Sequence, residues 1–181
     1  MNKSNLPRHG RALYLTTAAT IAALYVVLTL PFAQFAFGPI QFRLAECLVI
    51  LPILLPAAIP GITIGCFLAN LLNPGNLGPI DIVFGSLATL VAALLTYRLA
   101  KMAPFKKLII NDIVALVPPI IVNAIIVGTY LTFLLTEGAI RVTMIIVNVV
   151  YVGLSEMAVV YFIGLPLLVV LRKAGLRSTK E

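Results

Sequence analysis

Glu156 is the residue whose position most demands a chemical role: it is the only charge between Val142 and Leu171, in an otherwise unbroken apolar stretch. At the depth of a bilayer centre an ionised carboxylate costs at least ~2.5 kcal/mol unless it faces the protein interior and has a partner there. Asn148, Ser155 and Glu156 stand at i, i+7 and i+8 and so share one face of a helix. A polar face on an apolar helix suggests the wall of a cavity. The competing account is helix-to-helix glue, with Glu156 bonded to Asn123 or Asn70. For Asn123 and Asn148 both accounts stay open. Glu156 reads as functional, because glue needs no acid.

A second group lies in the run from Phe35 to Glu46, where Gln41, Arg43 and Glu46 stand among Phe35, Phe37 and Phe42. Arg43 precedes Glu46 by three positions, so on a helix start the two would face each other. A surface ion pair contributing under about 1 kcal/mol and a ligand contact both remain open for Glu46. Gln41 and Arg43 read as ligand contacts, since an amide, a guanidinium and ring faces are the means of gripping a flat polar molecule at a cavity mouth. Asn70 is a further candidate. Asn73, Asn76 and the glycines after them read as turn chemistry, and Asp81, just behind Pro79, as a charge matched to the start of a helix.

Other chemistries lack their residues. The chain has no phosphate-binding glycine loop, no H-E-x-x-H, no G-x-S-x-G, and a single histidine, His9. Cys47 and Cys66 sit in apolar stretches without neighbouring Cys or His, which supports neither a disulfide framework nor a zinc site. No enzymatic constellation and no cofactor or metal site follows. An intramembrane enzyme built on Glu156 with Asp81 or Glu46 would lack a nucleophile and metal ligands.

The elements that must position these residues are dictated by composition. Of the 181 residues, 61% are hydrophobic and 10% charged, and the mean hydropathy is +1.11. A soluble domain of this length could not cover itself with so little polar surface. At ~20 residues per helical crossing, the chain holds about six passes and one membrane domain over 1–181, with short basic tails at 1–11 and 172–181. The N-terminal apolar run continues uncharged from Ala12 to Phe42, too long for a signal peptide, and reads as a first transmembrane helix. The expected segments are 12–34, 45–57, 60–73, 81–100, 108–135 and 142–171. Cys47 to Ile80 is interrupted by Pro52, Pro56, Pro60 and Pro74, so it folds back near 56–61 as two short crossings or a re-entrant hairpin. Such broken elements survive only where protein or a cavity covers their backbone, which makes this an inner element.

The formal charge of +7 is a topology signal and no sign of nucleic-acid binding. Lys3, Arg8 and Arg11, then Arg98, Lys101, Lys106 and Lys107, then Arg172, Lys173, Arg177 and Lys180 account for eleven of the thirteen basic residues. All eleven share one side if the 47–80 segment returns to the side it started from, which puts both termini in the cytoplasm. On the first helix Ala18 and Ala22, with Ala19 and Ala23, give small-xxx-small spacings, as do Gly61 and Gly65. Close packing within the fold and docking of another membrane subunit are the two uses of such a stripe.

Together these features resemble the substrate-binding S components of energy-coupling factor (ECF) transporters. Within that group, Gly38-Pro-Ile-Gln-Phe-Arg-Leu-Ala-Glu46 and the run from Asn70 through Asn73-Pro-Gly-Asn-Leu-Gly-Pro-Ile-Asp81 to Thr89 are similar to the QueT family. The resemblance implies binding of a queuosine precursor, a 7-deazaguanine base, on the outer side of a bacterial cell membrane for ATP-driven uptake. It also implies a transmembrane coupling subunit and two cytoplasmic ATPases as partners, with Ala18, Ala19, Ala22 and Ala23 as the docking face. A guanine-like edge offers N–H donors to a carboxylate, Glu156 or Glu46, and a carbonyl to an amide or arginine. Phe35, Phe37, Phe42 or Tyr130 would stack on its ring. An S component for another small molecule, such as a vitamin or tryptophan, and a purely structural membrane subunit are the alternatives.

Overall fold

The computed structural model describes residues 8–33, 43–73, 75, 77–102, 105, 107–136 and 139–176, and every regular element among them is helical. The chain runs through α1 (Arg8–Thr29), a 3₁₀ helix (Leu44–Ile53), α2 (Ala58–Leu72), α3 (Pro79–Met102), α4 (Leu108–Ala115), α5 (Val117–Leu135), α6 (Val142–Ala158), a π-helical turn (Val159–Gly164) and α7 (Leu165–Lys173). Among the described residues four spans are long and apolar enough to cross a bilayer: Gly10–Phe32, Pro79–Met102, Leu108–Leu135 and Val142–Lys173. Large apolar side chains stand outside the bundle along them, with Phe162 81% and Val27 62% exposed. Such a surface is stable only against lipid, so the chain is a multi-pass membrane protein.

The fold-back expected from the prolines is present between Ile53 and Ala58. Its first limb is a 3₁₀ helix of ten residues, where runs beyond three or four are uncommon. Ala45 through Ile53 are all buried, as an element enclosed by protein on every side must be. At ~2.0 Å per residue the limb is about 20 Å long, and the fifteen residues of α2 span about 22 Å. Both fall short of the ~30 Å hydrocarbon core. The 3₁₀ helix packs on α1, α3, α7 and the π turn, and α2 fills the space between α1 and α3.

Two segments depart from the expected single helices. The 108–135 segment breaks at Leu116, because Pro118 and Pro119 supply no N–H to the preceding carbonyls, and α5 restarts with them in its first turn. The 142–171 segment is continuous, as expected, but widens into a π turn three residues beyond Glu156.

The basic ends converge. Arg172 on α7 forms a two-pronged ion pair with Asp112 on α4, through Nη1 to Oδ2 and, at 2.8 Å, Nη2 to Oδ1. Leu171 and Leu176 meet Thr16, Thr17 and Thr20 of α1 in one groove. Arg11 on α1, Lys101 at the end of α3, Lys107 just ahead of α4, and Arg172 and Lys173 on α7 therefore lie toward one end of the bundle.

Candidate functional site

Apart from Thr96, Asn111 and Asp112, the buried polar residues gather on the side of the bundle away from those basic residues. Asp81, in the first turn of α3, is fully buried. Its Oδ1 accepts the Tyr130 hydroxyl of α5 at 2.6 Å and Arg43 Nη2 at 3.4 Å. Arg43, which leads into the 3₁₀ helix, is itself only 7% exposed. Asn70, near the end of α2, donates Nδ2 to the Asp81 backbone carbonyl at 3.1 Å. A Cβ at Gly85, one turn after Asp81, would stand 2.9 Å from Asn70 Nδ2 and 3.3 Å from the Tyr130 hydroxyl. Glycine there leaves room for both side chains against α3.

Two further carboxyls adjoin this network. Glu46, in the first turn of the 3₁₀ helix, accepts the Tyr25 hydroxyl of α1 at 2.5 Å on Oε1. Glu156 of α6 accepts Asn123 Nδ2 of α5 at 3.0 Å. Arg43, Glu46, Asn123 and Glu156, with Val127 and Val152, line a single cleft of about 10 Å³, room for about one water. Three buried acceptor atoms of the region have no hydrogen-bond partner: Glu46 Oε2, Asn70 Oδ1 and Asp81 Oδ2. Buried polar atoms are normally satisfied, and of these three Glu46 lines the cleft, where an unfilled acceptor suits a ligand with N–H donors. Among the described residues no group of His, Cys, Asp and Glu is arranged to hold a metal ion.

Comparison with known proteins places the chain. The profile of the family described as QueT transporter matches residues 15–173. The chain belongs to the QueT transporter family. It is 38% identical over 79 residues to the queuosine precursor transporter QueT of Lactococcus lactis subsp. cremoris (strain MG1363), a stretch covering 42% of this chain and 45% of that protein. No solved structure matches significantly. The family is described as one of transporters.

In this QueT-family chain the structure brings together Arg43, Glu46, Asn123 and Glu156 at the cleft, with Asn70 and Tyr130 in the network behind it. Asn148 stands apart. Its Nδ2 donates to Thr132 Oγ1 at 2.8 Å, beside a separate groove with Leu135, Thr136 and Met144. Gln41, Phe37 and Phe42, like Phe35, lie outside the described residues. Among the described residues no ion pair joins Arg43 to Glu46: Arg43 pairs with Asp81, and Glu46 takes the Tyr25 hydroxyl. Asp81 does more than match a helix start, since its side chain ties α3 to α5 and to Arg43. Tyr25 was not among the expected residues at all, and an isolated tyrosine in an apolar run carries no sequence signal of a polar partner.

Ala18 and Ala22 face inward. Cβ atoms at Gly61 and Gly65 of α2 would lie 2.9 Å from the Ala18 carbonyl oxygen and 3.0 Å from that of Ala22. Ala19 and Ala23 are on the exposed face of α1.

Proposed function

We propose that this chain is the substrate-binding S component of an ECF-type importer. It would bind a queuosine precursor, a 7-deazaguanine base, from the outer side of a bacterial cell membrane. The observation that carries the reading is a buried cleft lined by Arg43, Glu46, Asn123 and Glu156 inside an apolar bundle of the QueT transporter family. The printed function of the Lactococcus relative supplies the substrate class. A 7-deazaguanine edge carries adjacent N–H groups that suit a carboxylate, and a carbonyl that suits Arg43 or Asn123. Tyr130 supplies a ring at the back of the site, and Gln41, Phe37 and Phe42 are proposed for its mouth.

The site in its present form holds no more than a water, whereas small-molecule sites run to ~300 Å³ or more. Loading therefore widens the cleft, most simply by parting α6 from the 3₁₀ helix. With no ATP-binding motif in the chain, the energy for uptake comes in this reading from a coupling subunit and two cytoplasmic ATPases. Both termini then face the cytoplasm with the basic clusters, and residues 1–181 form a single substrate-binding domain.

The test is calorimetry on the purified protein in detergent, titrated with 7-cyano- and 7-aminomethyl-7-deazaguanine against guanine, biotin and tryptophan. Saturable binding of a deazaguanine alone is the expected result, and replacing Glu156 by Ala should weaken it at least tenfold. Unchanged affinity in Glu156→Ala would remove Glu156 from the site. Binding of biotin or tryptophan instead would reassign the substrate.

A further inference from the structure

The charges of the cleft do not balance. Three of the six acidic residues of the chain, Glu46, Asp81 and Glu156, sit in or against it, and each is at least nine-tenths buried. Against them stands one cation, Arg43, the only basic residue between Arg11 and Arg98. Between Lys107 and Arg172 the only other basic residue is Arg141, which is exposed. However Arg43 shares its charge, it offsets one carboxylate of three, and its ion pair is with Asp81. The two carboxyls that line the cleft receive their hydrogen bonds from neutral groups, the Tyr25 hydroxyl and the Asn123 amide. With one of the three carrying a proton, one negative charge remains without a counter-charge, and a cation beside Glu46 would keep that carboxyl ionised. Glu46 singles itself out, because its Oε2 is buried with no hydrogen-bond partner while Glu46 forms part of the cleft wall.

We infer that the ligand is cationic, and that it brings a protonated amine to Glu46 beside the planar edge read by Glu156 and Asn123. Neutral N–H donors satisfy a lone pair but leave the buried negative charge uncompensated, and in a low-dielectric interior that imbalance is the larger penalty. An ammonium does both. The inference rests on the deazaguanine reading and sharpens it: among such bases, one bearing an aminomethyl group at C7 is preferred to one bearing a neutral nitrile.

Two ligands that share a ring system and differ in this charge decide the matter on the unaltered protein. In calorimetry near neutral pH, 7-aminomethyl-7-deazaguanine should bind at least tenfold more tightly than 7-cyano-7-deazaguanine. In Glu46→Gln, which keeps an acceptor for the Tyr25 hydroxyl, that preference should shrink several-fold. Equal affinities, or tighter binding of the nitrile, would overturn the cationic ligand and leave the deazaguanine reading standing. Failure of both compounds to bind the folded protein would overturn both. A preference that survives intact in Glu46→Gln would overturn the assignment of the amine to Glu46.

Discussion

Among individual residues, Asp81 carries more of the site than its place in the sequence suggests. It joins three elements, accepting from Tyr130 of α5 and pairing with Arg43 ahead of the 3₁₀ helix, from a fully buried position on α3. Removing one partner of a buried pair is costly, typically ~3–5 kcal/mol, because the other charge is left behind. Losing one hydrogen bond to a charged group costs less, roughly 2 kcal/mol. Asp81→Asn should therefore lower thermal stability in detergent more than Tyr130→Phe does. The reverse order would mean that the hydroxyl, and not the ion pair, holds α3 to α5. How much of this was legible depended on the background of each residue. Glu156 stood out because no other charge stands between Val142 and Leu171. Asp81 did not, because an acid just after Pro79 has an ordinary use at a helix start. Tyr25 meets a partner 21 residues away only through the crossing of α1 and the 3₁₀ helix, and no local pattern encodes that crossing.

For the helices, the decisive contact is the one between α1 and α2. A Cβ at Gly65 would come within 2.6 Å of Tyr25 Cβ, so any side chain there pushes the two helices apart. The same Tyr25 holds Glu46 through its hydroxyl. Overpacking of this kind costs typically ~1–3 kcal/mol. Gly65→Ala should thus lower the melting temperature and also weaken ligand binding, since it displaces the donor to Glu46. Destabilisation with binding intact would separate the α1–α2 contact from the site. The sequence announced the fold-back through Pro52, Pro56 and Pro60, and the structure has it. It did not announce that the first limb is 3₁₀ or that a π turn follows Glu156. Between Leu44 and Ile53 nearly every position is apolar, so no periodicity separates three residues per turn from 3.6. The π turn lies against that limb, which ties both irregularities to packing instead of to local preference. The break at Leu116 was available in Pro118 and Pro119, and treating 108–135 as one helix passed over it.

On the scale of the whole molecule, the described basic residues at the ends of α1, α3 and α7 gather at one end of an apolar bundle and the acid-rich cleft lies in the other half. In the importer reading a coupling subunit moves or releases what the cleft holds, since this sequence has no motif for using ATP. The face of α1 is where such a partner is proposed to dock, and the structure narrows which part of it is free to do so. Ala18 and Ala22 are spent against Gly61 and Gly65, whereas Ala19, Thr20 and Ala23 are exposed along the apolar surface. Small side chains on a lipid-facing strip let another helix approach closely, and lipid itself accepts leucine at the same positions without penalty. Leucine at both Ala19 and Ala23 should consequently leave the melting temperature and deazaguanine affinity of the purified protein unchanged, yet abolish uptake in cells that supply the coupling subunit and ATPases. Leucine at Ala18 or Ala22 should instead damage the fold, because there is no room between α1 and α2. Wild-type uptake by the Ala19→Leu, Ala23→Leu double variant would place the partner on a different face of the bundle.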